Sequence, residues 1–260
     1  MKKLLSLVLA VMMAVTMLAV AFADDSDLAY VQGKGTLVVG VTDFAPMDYK
    51  DADGNWIGFD ADLAAAFAET QGVKVEFVEI DWDNKILELN AKTIDCVWNG
   101  MTLTEEVMAA MGCTAAYLNN SQVIVMKADK LAALPEEATT EDFAGIVFAV
   151  EAGSAGEEVG TELGLELTPV ASQAAALMEV AAGTSDAAII DMLMAQAMVG
   201  EGTGYADMDW GFALNDEQYG VGFRTGSDLV DACDAFFAEA AAEGGLMDQL
   251  LVKYGMVAGE

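Results

Sequence analysis

Three acids, two aromatics and a set of small polar residues are placed where they could handle a small molecule. Asp43, Glu151 and Asp191 each follow a short apolar run that ends in a polar loop. A carboxylate at such a strand end can hold an ammonium by charge-assisted hydrogen bonds, or it can cap the helix that follows. Phe44 and Trp82 stand beside acids, where a ring can stack on a ligand, face a cation or pack at the rim of a core. Asn99, Gly100 and Thr102 come directly after the apolar run 94–98, and Ser154 lies in the stretch 151–157, EAGSAGE. Glu151 and Asp43 could also act as general acid and base. No nucleophile is placed with them, however, and the chain has no histidine, the commonest general base and metal ligand. These residue types point to binding. They ask for no cofactor, because residues 153–156 lack the spacing of a dinucleotide fingerprint.

Two junctions would add backbone donors. Residues 94–98 read as a buried strand, Asn99-Gly100 favours a turn, and Thr102 and Glu105 have capping-box spacing, with Thr104 a second possible N-cap. Ser154 and Glu157 repeat that spacing after the strand 145–150. The first N–H groups of a helix have no helical partner and, with the helix dipole, can hold a carboxylate; an ordinary loop that binds nothing has the same signature. Further strands are expected at 36–41, 73–78, 121–126, 186–190 and 219–223. Helices are expected at 61–70 behind Asp60, at 84–90, at 172–182 between Ser172 and Gly183, and at 192–199, 228–242 and 246–254. Such alternation predicts an α/β chain with mainly parallel sheets, where ligands bind beyond the carboxyl ends of strands.

The 260 residues, 55% hydrophobic, suffice for one large domain or for two lobes with their own cores. A net charge of −32 argues against nucleic acid, whose phosphates would be repelled, and suits a soluble exported protein or one that steers cationic ligands. Three cysteines are too few for a disulfide scaffold; Cys96 and Cys113 could pair or stay free, and Cys233 reads as a buried apolar residue. Lys2-Lys3, the apolar run 4–22 and Ala21-Phe22-Ala23 read as a signal peptide over residues 1–23, with an uncleaved membrane anchor as the alternative.

Over about residues 36–255 the chain resembles the bacterial extracellular solute-binding proteins of family 3, the polar amino-acid receptors of ABC importers. The resemblance rests on residues 40–46 (GVTDFAP), 58–63 (GFDADL), Asp81-Trp82, 100–104 (GMTLT), 121–123 (SQV), 185–187 with Asp191, and 219–223 (YGVGF), in that order and spacing. It implies a two-lobed, periplasmic-binding-protein-like fold of type II. Residues 34–124 and 219–260 would form the first lobe and 125–218 the second, with two hinge strands near 123–127 and 215–222. It implies that Phe44 and Trp82 pack on the ligand, that Gly100 and Thr102 hold it, that Ser154 meets its carboxylate and that Asp191 binds its ammonium.

Two positions depart from the family pattern. Val107 stands where the family carries an arginine that clamps the ligand carboxylate, and the chain's one arginine, Arg224, is expected outside the pocket. Val41 stands where the family has an aspartate, for which Asp43 is the available substitute. Without an arginine, the cationic end of the ligand is expected to dominate binding. The function implied is a monomeric receptor for an amino acid or related small amine, working in the periplasm or at the cell surface and serving an ABC permease. A ligand-sensing subunit and a dehydratase-like enzyme on the same fold are the alternatives.

Overall fold

The computed structural model describes residues 26–256. The signal-peptide reading of residues 1–23 lies outside the described residues. Helix α1 (Asp27–Lys34) is followed by strand β1 (Thr36–Val41), the hairpin β2 (Tyr49–Lys50) and β3 (Trp56–Ile57), helix α2 (Phe59–Thr70) and strand β4 (Lys74–Glu79). A single 3-10 turn, Trp82–Asn84, leads into α3 (Lys85–Asn90), then β5 (Cys96–Thr102), α4 (Glu105–Ala110), β6 (Gly112–Cys113) and β7 (Leu118–Asn120). Next come β8 (Gln122–Lys127), α5 (Ala128–Leu131), β9 (Val147–Glu151), α6 (Ala155–Glu162), β10 (Glu166–Val170), α7 (Gln173–Ala182), β11 (Ala187–Asp191), α8 (Met192–Met198) and β12 (Met208–Ala213). Strand β13 (Glu217–Phe223) and helices α9 (Leu229–Ala240) and α10 (Leu246–Lys253) follow.

Apart from the β2-β3 hairpin, the strands form two separate sheets, in the orders β4-β1-β5-β13-β6, with β7 also on β13, and β10-β9-β11-β8-β12. Each is covered by its own helices, which makes two lobes. The chain leaves the first sheet after Asn120 and rejoins it at Glu217, so the connections are Ser121 and residues 214–216. These points fall two to four residues before the expected boundaries at 124 and 218, and residues 123–127 lie wholly within β8 of the second sheet.

The sheets are mixed, not mainly parallel. Strand β1 runs parallel to β4 and β5, and β9 parallel to β10 and β11. The strands next to the two connections run the other way: β13 is antiparallel to β5, and β8 to β11 and β12. Strands β10 and β12, which the sequence pattern did not reveal, are both edge strands; an edge tolerates Pro169, which cannot donate to a ladder.

Strand β5 does not turn at Asn99-Gly100. It is hydrogen-bonded on both sides, to β1 and β13, and that pairing outweighs the local turn preference. The register records the misfit: Met101 opposes Gly220 while Val97 opposes Gly222, so residues 98–100 bulge against Val221 alone. Gly100 takes φ 54°, and a Cβ there would sit 2.5 Å from the Phe44 ring. The N-cap of α4 is Thr104, whose Oγ1 accepts from the Val107 N–H at 3.3 Å. Helix α2 starts one residue before Asp60, behind Gly58, leaving the Asp60 side chain free for another role.

Cys96 and Cys113 do not pair. They lie on β5 and β6, with β13 between them, so two strand spacings of about 4.8 Å separate them, beyond disulfide reach. Cys233 is buried, as its pattern suggested.

Candidate functional site

A cleft of about 340 Å³ opens between the two lobes. The first lobe lines it with Phe44, Trp82, Lys85, Asn99, Gly100, Thr102 and Val107, and the second with Gln122, Glu151, Ser154, Gln173 and Asp191. The lobes touch across it: Lys85 Nζ on α3 donates to the Gly153 carbonyl at 2.7 Å. Gly153 holds φ 70°, and a Cβ there would lie 2.7 Å from Asp83 Cα, so the closed arrangement leaves no room for a side chain.

Asp191 ends β11 beside both connections. It stands at the N-cap position of α8 but makes no capping bond. Its Oδ1 instead accepts from Asn120, from Gln122 Nε2 at 3.0 Å and from the Tyr219 hydroxyl at 2.6 Å, and its Oδ2 accepts from Gln173. One carboxylate thus ties together β7, β8, α7 and β13. Asn120 and Gln122 also donate to Glu217, at 2.5 and 2.9 Å. Burial, and then the Glu217 charge, push the Asp191 carboxyl well above its ordinary range.

Glu151 ends β9, is 2% exposed, and its Oε1 has no hydrogen-bond partner. Burial raises its pKa to about 8, against the pull of the Lys85 charge. An unpartnered buried carboxyl facing a cavity is costly unless something else fills its lone pairs. Ser154 caps α6 as its spacing predicts: its Oγ accepts from the Glu157 N–H at 3.2 Å, while Glu157 reaches back to the Gly153 N–H at 2.7 Å.

The other expected residues divide. Trp82 and Phe44 wall the cleft, and Phe44 is braced edge-on by Tyr219. Thr102 lines the cleft with no competing bond. Asn99 lines it too, but its side chain is committed elsewhere: Oδ1 accepts from the Thr42 N–H and hydroxyl, and Nδ2 donates to Asp48 at 2.7 Å. The Gly100 N–H is likewise taken, by Asp60 Oδ2 at 2.6 Å, so both residues hold the wall in shape and offer little to a ligand. Asp43 is not in the cleft. It lines a different groove with Glu79, Asp81 and Ser172, so it does not replace the acid absent at Val41. Arg224 is away from the cleft as well, bonded to Asp27 at 2.9 Å and to the Ile94 carbonyl.

Sequence reasoning missed Lys85, Gln122 and Gln173. Lys85 is 7% exposed, sits 5.0 Å over the Trp82 ring, and is, among the described residues, the one lysine or arginine lining the cleft. The spacing of three from Trp82 at a helix start was the available signal, since such residues share a face. The two glutamines gave none: they are single polar residues opening a strand and a helix.

Two α/β lobes joined by two crossing connections, with a cleft of carboxylates and aromatics between them, define a two-lobed ligand-binding protein of type II. The chain belongs to the bacterial extracellular solute-binding proteins, family 3, whose pattern matches residues 37–257. It is 31% identical over 224 residues to the arginine-binding extracellular protein ArtP of Bacillus subtilis, covering 82% of this chain and 84% of that one. It is 27% identical to the L-cystine-binding protein TcyJ of Escherichia coli, over 92% and 90% of the two chains. Among solved structures, a substrate-binding protein of an ABC uptake transporter from Streptococcus pneumoniae with bound histidine superposes with a TM-score of 0.80 at 28% identity, covering 91% of this chain and 99% of that one. The ancestral amino acid-binding protein AncCDT-1, a precursor of cyclohexadienyl dehydratase, superposes with a TM-score of 0.78 at 30% identity, covering 88% and 99%.

Proposed function

We propose that this chain is an exported receptor that closes its two lobes on an amino acid or a related small amine and delivers it to an ABC permease in the membrane. The observation that carries this reading is the pair of buried carboxyls, Glu151 and Asp191, at the floor of an interlobe cleft whose other walls are the Phe44 and Trp82 rings. Asp191 takes the ammonium, Glu151 a second donor of the ligand, and the rings cover its apolar part. Thr102 and Ser154 are among the hydroxyls lining the cleft and can meet its polar end. Relatives named for arginine, cystine and histidine support an amino-acid ligand. The lobes move about Ser121 and residues 214–216, and Asp191, bonded to Asn120 and Gln122 on either side of Ser121, links ligand binding to that movement. The protein acts as a monomer in the periplasm or at the cell surface.

A receptor is a better reading than an enzyme, because the family and the relatives are named for solute and amino-acid binding. Native mass spectrometry of the exported protein tests the proposal. A one-to-one adduct with the mass of an amino acid or small amine, lost on denaturation, is expected. A protein that carries none, and takes up none from a mixture of the common amino acids and amines, contradicts it.

A further inference from the structure

We infer that Lys85 recognises the ligand's carboxylate, so that the cleft selects zwitterionic amino acids over their decarboxylated amines. This rests on the amino-acid reading of the cleft and names the residue that sets its specificity. Lys85 is a buried cation whose hydrogen bonds go only to neutral carbonyls: Gly153 at 2.7 Å and Trp82 at 3.4 Å. None of the ion pairs among the described residues includes it. An ammonium has three donors, so one is left over, and a charge desolvated without a bonded counter-ion is costly. Burial accordingly holds the Lys85 pKa below the ordinary lysine range, with Glu106 and then Glu151 opposing the shift.

Its position adds a second reason. The carbonyl that it bonds, Gly153, lies two residues before the first residue of α6, Ala155, which itself lines the cleft. The Ser154 hydroxyl caps the Glu157 N–H, and the Ala155 N–H remains one of the orphan donors of a helix start. A full positive charge and a helix N-terminus therefore converge on one spot of a cleft whose other charged residues are all acids. A carboxylate placed there gains both, while the ammonium of the same ligand reaches Asp191. Val107 lines the cleft without offering charge, and Lys85 supplies the cation that an arginine there would have supplied.

The Lys85 bond to Gly153 could instead be only a latch between lobes, and the two roles differ in a measurable way. Loss of a latch weakens every ligand alike; loss of a carboxylate receptor weakens only ligands that carry one. Titration calorimetry should compare L-arginine with agmatine, L-histidine with histamine and L-cystine with cystamine, on the wild type and on Lys85→Met, Lys85→Gln and Lys85→Arg. The wild type should prefer at least one acid over its amine by about 30-fold or more, as expected for a buried charge pair. Lys85→Met and Lys85→Gln should lose at least about tenfold more affinity for the acid than for its amine, with melting curves showing that they fold; Lys85→Arg should keep the preference. A preference that survives in both neutral variants, or an equal loss for acid and amine, overturns the assignment and leaves the amino-acid reading standing. Absence of binding by the wild type to all six compounds and to the other common amino acids overturns that reading itself.

Discussion

Replacing Asp191 by Asn should weaken ligand binding by about 2–4 kcal/mol, and the structure shows why the loss is neither smaller nor larger. Oδ1 already accepts three bonds, from Asn120, Gln122 and Tyr219, whereas Oδ2 accepts only from Gln173 and keeps a lone pair for a ligand. An ammonium about 3 Å from a carboxylate gains roughly 5–6 kcal/mol at an effective dielectric of about 20. Part of that offsets the desolvation of the ammonium and the ionisation of a carboxyl that burial holds above its ordinary range, and an amide carbonyl in the variant still accepts one bond, which leaves about 2–4 kcal/mol. In affinity this is about 30- to 1000-fold. The variant folds less stably, because keeping its amide oxygen toward the ligand turns its amide nitrogen toward the donors of Asn120 and Gln122. A melting curve therefore accompanies the titration. Tyr219→Phe is the matched control: it removes one donor from the same carboxylate, leaves the charge, and should weaken binding by less than about tenfold. Calorimetry at pH 7 with an amino acid that the wild type binds gives the answer. Asp191→Asn affinity within about threefold of wild type, in a folded protein, would refute the assignment of the ammonium to Asp191.

Other expectations follow from the same geometry. Glu151, with a pKa of about 8, is mostly protonated at pH 7 in the empty cleft, and a bound cation favours its ionised form. Binding should release a proton and tighten as pH rises from about 6 to about 8, levelling off above. Titrations in buffers of different ionisation enthalpy read this directly, and equal heats in phosphate and Tris, or a Glu151→Gln protein with an unchanged proton release, would count against it. Asp60, buried and bonded to the Gly100 N–H and the Tyr117 hydroxyl, has its pKa raised by burial to about 7 from an ordinary 3.8. The folded form keeps that proton between these values while the unfolded form loses it, so this contribution to stability is full below about pH 4 and is lost as pH rises through 7, by about 2–4 kcal/mol. Melting temperature should thus fall more steeply from pH 5 to pH 8 in wild type than in Asp60→Asn; parallel profiles would contradict this. Gly153→Ala places a Cβ 2.7 Å from Asp83 Cα at a φ of 70°, so it should hold the lobes apart. X-ray scattering should show ligand shrinking the wild type but not the variant, and equal contraction of both would argue against closure through this contact.

Much of the fold was legible because its central strands are apolar runs bounded by capping residues. Strands β1, β8, β9, β11 and β13 and helices α6 and α7 stand within a few residues of their expected places, and Ser154, Ser172 and Gly183 do the capping and stopping that their types suggest. What the sequence hid was set by tertiary pairing. Strand β10 contains Pro169, and β12 is interrupted by Asp209 and Gly211, so neither shows a strand pattern until an edge accepts it. The path of β5 through Asn99-Gly100 depends on partners 57 and 119 residues away, Thr42 for Asn99 and Tyr219 for Gly100, which no local window contains. The site was half legible for the same reason. Strand-end acids can be recognised as a type, but whether they face a cleft depends on the sheets: Glu151 and Asp191 do, and Asp43 does not. Lys85 has the sequence setting of an ordinary solvated residue of a short helix, and its bond to Gly153 depends on the approach of the other lobe.

The proposed interlobe cleft holds both charged ends of an amino acid. Titration of the wild-type protein with each common amino acid, and with the N-acetylated form of any that binds, tests it most directly. One-to-one binding of at least one free amino acid is expected, with at least about 100-fold weaker binding of its N-acetylated form, which has no ammonium to give Asp191. Equal affinity for the two forms would contradict it.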